Sequence, residues 1–145
     1  MTFEYSPAPE SQAVVDIAPH YGLFIDGDFV ETIDGTTFKT VNPATEEVLS
    51  EITEAGAADV ERAVKAARAA YKQTWSKMPG RERAKYLYRI ARIIQERSRE
   101  LALLETLDNG KPIRESRDVD LPLVAAHFFY HAGWADKLGH ASLGP

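Results

Sequence analysis

A change of period along the chain constrains its fold more than any other feature. Between Leu23 and Thr53 apolar residues come in short alternating runs broken by turn formers, whereas from Val60 onward they recur at helical spacing. Alternation buries one face of a strand, and a repeat near 3.6 residues buries one stripe of a helix. Small ribbons followed by long amphipathic helices are therefore expected. Leu23-Phe24-Ile25 and Asp28-Phe29-Val30 flank Asp26-Gly27, a pair that tolerates the positive φ of a two-residue hairpin turn. A second pair, Thr37 to Val41 and Val48 to Thr53, surrounds a turn at Asn42-Pro43-Ala44-Thr45. Pro43 fixes its own φ and offers no amide donor, which suits a turn and would damage a central strand.

In the helical part, Val60, Ala63, Val64, Ala67, Ala70 and Tyr71 share one face, with Asp59, Glu61, Arg62, Lys65 and Arg68 mostly off it. Met78-Pro79-Gly80 breaks the pattern before a second helix carrying Ala84, Leu87, Tyr88, Ala91 and Ile94. Ser98 is placed to cap a restart that brings Leu101 and Leu104 inward, and Asn109-Gly110 followed by Pro112 supplies a stop. A last helix is expected over Pro122 to Lys137, with Phe128, Phe129, Tyr130 and Trp134 on an aromatic face. Residues 1–20, rich in Pro, Ser, Ala and Glu, read as a mobile tail. The fold class that follows is α+β.

Composition narrows the function. A net charge of -5 over 145 residues argues against a phosphate-backbone partner, so no nucleic acid is expected. No apolar run approaches the roughly 18–20 residues of a spanning helix, so no membrane is expected either. Met1 to Glu10 contains two prolines and no basic-then-apolar run, which makes a cytoplasmic address the default expectation. The chain has no cysteine, which excludes disulfides, thiolate metal sites and thiol nucleophiles within it.

Several constellations invite a chemical reading and have a plainer one. His127 and His131 stand one helical turn apart, but Phe128 occupies the place where a zinc-protease helix carries glutamate, so packing or rim histidines are expected. The cations from Arg81 to Arg99 interleave with Glu82, Glu96 and Glu100, the pattern of a solvated helix with internal ion pairs. Lys111 has nothing in the sequence to depress its pKa and reads as a surface or capping lysine. The aromatic cluster at helical spacing reads as core.

Four ordered segments carry a family resemblance: Phe24-Ile25-Asp26-Gly27, Thr40-Val41-Asn42-Pro43-Ala44-Thr45, Leu107-Asp108-Asn109-Gly110-Lys111-Pro112 and Ala132-Gly133-Trp134-Ala135-Asp136. Together they resemble the amino-terminal part of NAD(P)-dependent aldehyde dehydrogenases. The resemblance implies entry ribbons and outer helices of that family's α/β cofactor-binding domain, with residues 21–145 as an incomplete amino-terminal part. It implies a full-length parent that uses NAD or NADP, oxidises an aldehyde to a carboxylate and forms a homo-oligomer. In the family the oxyanion-hole segment, the cofactor-binding turn, the general base and the thiol nucleophile all lie further along the chain. Hence no catalytic residue is assigned here, and no cofactor is expected to bind this chain alone. Some members hold a monovalent cation at the Thr-Val-Asn-Pro segment and the Leu-Asp-Asn-Gly aspartate, which here implies Thr40, Val41 and Asp108, a set of hard oxygen donors. A different class of reading is a non-catalytic module that associates with itself or with full-length subunits, because apolar faces left uncovered favour association.

Overall fold

The computed structural model describes residues 15–137. Five short strands come first: β1 (His20–Tyr21), β2 (Leu23–Ile25), β3 (Asp28–Val30), β4 (Thr37–Val41) and β5 (Val48–Thr53). Four helices follow: α1 (Ala57–Gln73), α2 (Gly80–Glu96), α3 (Ser98–Asn109) and α4 (Leu121–Trp134). A helical turn at Ile113–Glu115 and a wide π turn at Ser116–Asp120 lead into α4 without a break. The expected change of period thus marks a real change of architecture.

β2 and β3 pair antiparallel around Asp26 and Gly27, whose φ values of 59° and 96° are those of the tight turn that the Asp-Gly pair signals. Phe24 faces Phe29 across this hairpin with ring centroids 5.1 Å apart. β4 and β5 form the second antiparallel pair, with an irregularity between Thr40 and Val41. β1 adds to the other edge of β5 in parallel, pairing His20 with Glu51 and Tyr21 with Ile52. The tail expected over residues 1–20 therefore needs correction at its end. The Pro19 carbonyl accepts from the Glu51 amide and the Ala18 carbonyl accepts from the Ser50 hydroxyl, so this segment is held against β5. Residues 1–14 lie outside the described range.

Helix–helix packing centres on α2 against α4. The buried apolar positions there are small, Ala84 and Ala91 on α2 with Ala125 and Ala132 on α4, so the two axes can approach closely. Gly80 at the start of α2 belongs to the same fit, because a side chain there would collide with the Ala135 carbonyl at the end of α4. Tyr88 and Phe129 meet at the flank with centroids 6.0 Å apart. Phe128 and Phe129 are half-buried while Tyr130 and Trp134 remain exposed, so the expected aromatic core is corrected to a partly covered flank. The last helix starts at Leu121, with Pro122 in its first turn, where a missing amide donor costs nothing.

Two local expectations are corrected. Ser98 is the first helical residue of α3 and not its cap: Arg97 holds the cap position and pairs with Glu100. Of the face expected on α1, Ala63, Ala67 and Ala70 turn toward the hairpin, but Val60, Val64 and Tyr71 do not turn inward. Asp59 is only 1% exposed, whereas Val60 and Val64 are 53% and 55% exposed. The hairpin of β2 and β3 lies over the alanines of α1, at Ala63, Ala66, Ala67 and Ala70, and Asp59 stays in because it has partners.

Those partners fix the start of α1. The Asp59 carboxylate accepts from the Thr32 hydroxyl at 2.5 Å, from the Ile33 amide at 3.2 Å and from the Gly56 amide at 3.1 Å. One buried acid thereby caps its own helix and anchors the loop after β3. The Thr32 hydroxyl above all, with the two amides and Arg62, holds this carboxyl below the usual range against the opposing effect of burial.

Candidate functional site

Two of the four sequence segments that carry the family resemblance meet in space, the one from Thr40 to Thr45 and the one from Leu107 to Pro112. β4 ends in Thr40 and Val41, and the chain then closes a compact loop. The Asn42 amide donates to the Glu47 carbonyl at 2.9 Å, the Glu46 amide to the Asn42 carbonyl at 2.8 Å, and the Asn42 side chain accepts from the Ala44 amide at 2.9 Å. The loop is longer than the expected four-residue turn, with Glu46 at a φ of 62°. Asn42 is buried, which leaves Pro43 projecting from a rigid support.

α3 ends opposite this loop. Gly110 adopts the left-handed conformation, φ 72°, and its amide bonds the Thr106 carbonyl at 3.0 Å, the helix stop that Asn-Gly signals. A Cβ at Gly110 would lie 2.8 Å from Pro43 Cγ, so the glycine serves both the turn and the close approach of the two motifs. Two residues earlier on α3, Asp108 accepts from the Thr40 hydroxyl across 68 positions of sequence.

Of the three residues implied as cation ligands, the structure thus joins Thr40 and Asp108 directly. Val41 follows on the strand as an exposed residue. The junction opens onto a cleft of about 460 Å³ between the β1–β5–β4 ribbon and α3, walled by Tyr21, Leu49, Ile52, Leu101 and Leu104. A second cleft of about 560 Å³ lies on the other side of α3, against Leu121, Leu123 and Val124 of α4. Both clefts are bordered by Leu101 and Glu105.

Lys111 stands in the second cleft, so of its reading as a surface or capping lysine the surface alternative is corrected. It is half-buried and ion-paired with Asp120, the last residue of the π turn. The hydrogen bond to Asp120, with the fields of Asp120, Glu105 and Glu115, raises the ammonium pKa against the opposing effect of burial. That is the reverse of what a reactive amine needs. The pair clamps the Asn-Gly-Lys-Pro turn to the entry of α4. Asp120 carried no signal in the sequence, because nothing local links it to Lys111.

The remaining candidates are dispersed. His127 and His131 are exposed, and His131 meets Tyr130 edge-on at 5.3 Å. Among the described residues, no three of His, Cys, Asp and Glu stand together as a metal site. No helix of the described residues is long and apolar enough to cross a membrane. The cations of α2 and α3 pair locally, Lys85 with Glu82 at 2.7 Å and Arg97 with Glu100 at 2.5 Å, as a solvated helix surface does.

Comparison with known proteins decides the family. The model of the aldehyde dehydrogenase family matches residues 29–144. The chain belongs to the aldehyde dehydrogenase family. Among relatives, the DhaS protein of Bacillus subtilis (strain 168) is 50% identical over 117 residues, 80% of this chain and 24% of that protein. The mitochondrial aldehyde dehydrogenase of Rattus norvegicus is 43% identical over 133 residues, 90% of this chain and 25% of that one. A solved aldehyde dehydrogenase of Bacillus cereus, described as an NAD+ complex, superimposes with a TM-score of 0.82 at 42% identity, covering 92% of this chain and 27% of that one. This chain therefore spans about a quarter of the length of the aldehyde dehydrogenases it matches. Its ribbons and helices are an amino-terminal fragment of the aldehyde dehydrogenase fold.

Proposed function

We propose that this chain is the scaffolding part of the cofactor domain of an NAD(P)-dependent aldehyde dehydrogenase whose full-length form oxidises an aldehyde to a carboxylate. The observation that carries this reading is the docking of the two family motifs at Thr40–Asp108 and Pro43–Gly110, in a chain that contains no cysteine. The junction sets the ribbon against α3, and that geometry positions structure without supplying a nucleophile. Aldehyde oxidation through a thiol adduct needs a thiolate, a base for the hydrolytic water and donors for the oxyanion. These groups belong to other parts of the family's chain. NAD is the favoured acceptor, since the Bacillus cereus neighbour is described in complex with it. The parent would act as a homo-oligomer, which fits the apolar surface left open on these elements.

The expected result is that purified residues 1–145 give no aldehyde-dependent NADH. The same residues, replacing their counterpart in the Bacillus cereus enzyme, should give a chimaera that does. Turnover by the isolated chain would overturn the reading, and so would a folded chimaera without activity.

At the Thr40–Asp108 junction we propose a monovalent cation site, bound by the Asp108 carboxylate with oxygens of Thr40 and Val41. One carboxylate with neutral oxygens suits a hard ion of single charge. Sodium chloride should then raise the Tm above its value in tetramethylammonium chloride at equal ionic strength, and Asp108→Asn should erase the difference. Equal Tm values in the two salts would remove the ion from the account.

A further inference from the structure

Asparagine occurs twice in the chain, as Asn42 before Pro43 and as Asn109 before Gly110. The following residue gives the two amides different chemistry. An asparagine side chain deamidates when the main-chain nitrogen of the next residue loses its proton and attacks Cγ. The bond from Cγ to Nδ2 then breaks, ammonia leaves with the proton, and a cyclic imide remains. Water opens the imide at either carbonyl, which yields aspartate or isoaspartate. Proline has no amide proton to lose, so Asn42 is excluded. Glycine has no Cβ to crowd the attack, so Asn109 is chemically competent.

Local geometry holds that reaction back. Asn109 is the last residue of α3, and its main chain directs the Gly110 amide to the Thr106 carbonyl at 3.0 Å. Its side-chain Nδ2 donates to Glu105 Oε1 at 3.2 Å. The attacking nitrogen and its target are both engaged along the helix, so ring closure needs the last turn to open. Opening also has to move Gly110 away from Pro43 and pull on the bond between Thr40 and Asp108. Asp108, Asn109 and Gly110 are nevertheless exposed, and exposed helix ends open more readily than a core does. We propose that Asn109 is a site of spontaneous deamidation, protected while α3 is docked on the Asn42 loop and reactive when that junction opens.

The product favours the open form. A carboxylate at position 109 stands four residues from Glu105 and beside Asp108, at the helix end where the dipole is negative. The hydrogen bond to Glu105 becomes a repulsion. Isoaspartate also lengthens the main chain ahead of Gly110, which displaces the glycine from Pro43. The modification is therefore one-way and marks chains whose junction has opened.

The test incubates residues 1–145 at mildly alkaline pH, with and without guanidinium chloride. Intact mass reports the conversion of amide to acid, and peptide mapping finds aspartate and isoaspartate at position 109. The reaction should run at least tenfold slower in buffer than in denaturant. Gly110→Ala should slow it at least tenfold in denaturant, where only the chemistry counts. Thr40→Val should speed it at least threefold in buffer and leave the rate in denaturant unchanged. Hydrogen exchange supplies a second measurement, because the Gly110 amide needs the same opening to exchange. Its protection should fall in Thr40→Val by the factor that the deamidation rate rises. Equal rates in buffer and denaturant would overturn the proposal. So would a Thr40→Val chain that reacts no faster than its parent, or Gly110 protection that does not follow the rate.

Discussion

Asp59 shows how far one residue can bind distant chain segments. Its carboxylate serves the α1 cap and the loop after β3 together, through one hydroxyl and two amides. Because its folded pKa lies below the unfolded value, the stabilisation is complete above the ordinary carboxylate range. It is lost as pH falls through the depressed folded value. Asp59→Asn should therefore lower the Tm at pH 7, and the gap to the parent chain should close in acid, below about pH 4. Melts recorded across that range check both parts, and a gap independent of pH would contradict the ionised form. Lys111 carries the opposite sign: its raised pKa keeps the ammonium charged across the neutral range and confines any loss to strongly alkaline solution.

At the scale of elements, stability depends on how ends meet. α3 stops at Gly110, and the same glycine lets Pro43 approach the helix end. Gly110→Ala should cost about 1–2 kcal/mol for the left-handed conformation alone. A further cost comes from moving Pro43 aside. A urea titration of this variant should show the loss, and an unchanged midpoint would mean that the two motifs do not bear on one another. Much of this was legible in the sequence. Asp26-Gly27 gave the hairpin, Asn109-Gly110 gave the stop, and the run Val48 to Thr53 after the Asn-Pro turn marked β5 to the residue. β1 escaped because two residues carry no measurable period, and its partner Glu51–Ile52 lies far along the chain. Part of the face of α1, at Val60 and Val64, was misjudged for a related reason: hydropathy favours burying valine over aspartate until the aspartate is offered three donors.

For the whole molecule, the character of the core decides behaviour. Among the described residues the buried apolar ones are Ile25 and five alanines, and many larger apolar side chains, Phe24, Phe29, Tyr130 and Trp134 among them, lie substantially in solvent. Alanine packing lets helices approach but buries little area per residue, at roughly 25 cal/mol per Å². The isolated chain should therefore unfold over a broad range and bind a hydrophobic dye before the transition. Calorimetry with dye fluorescence tests this, and a sharp cooperative melt without dye binding would show that the visible core suffices.

The sequence by itself determined what depends on a few adjacent residues: turn positions, helix stops, the α+β order and the family motifs. Each of these is set by steric and hydrogen-bonding preferences that act within about one turn of chain. Tertiary structure alone decided that Thr40 meets Asp108, that Lys111 pairs with Asp120, that Pro43 rests on Gly110 and that Asp59 is inside. Those choices depend on which surfaces pack together once the elements exist. A carboxylate has no preferred partner along the sequence until folding brings a donor within reach.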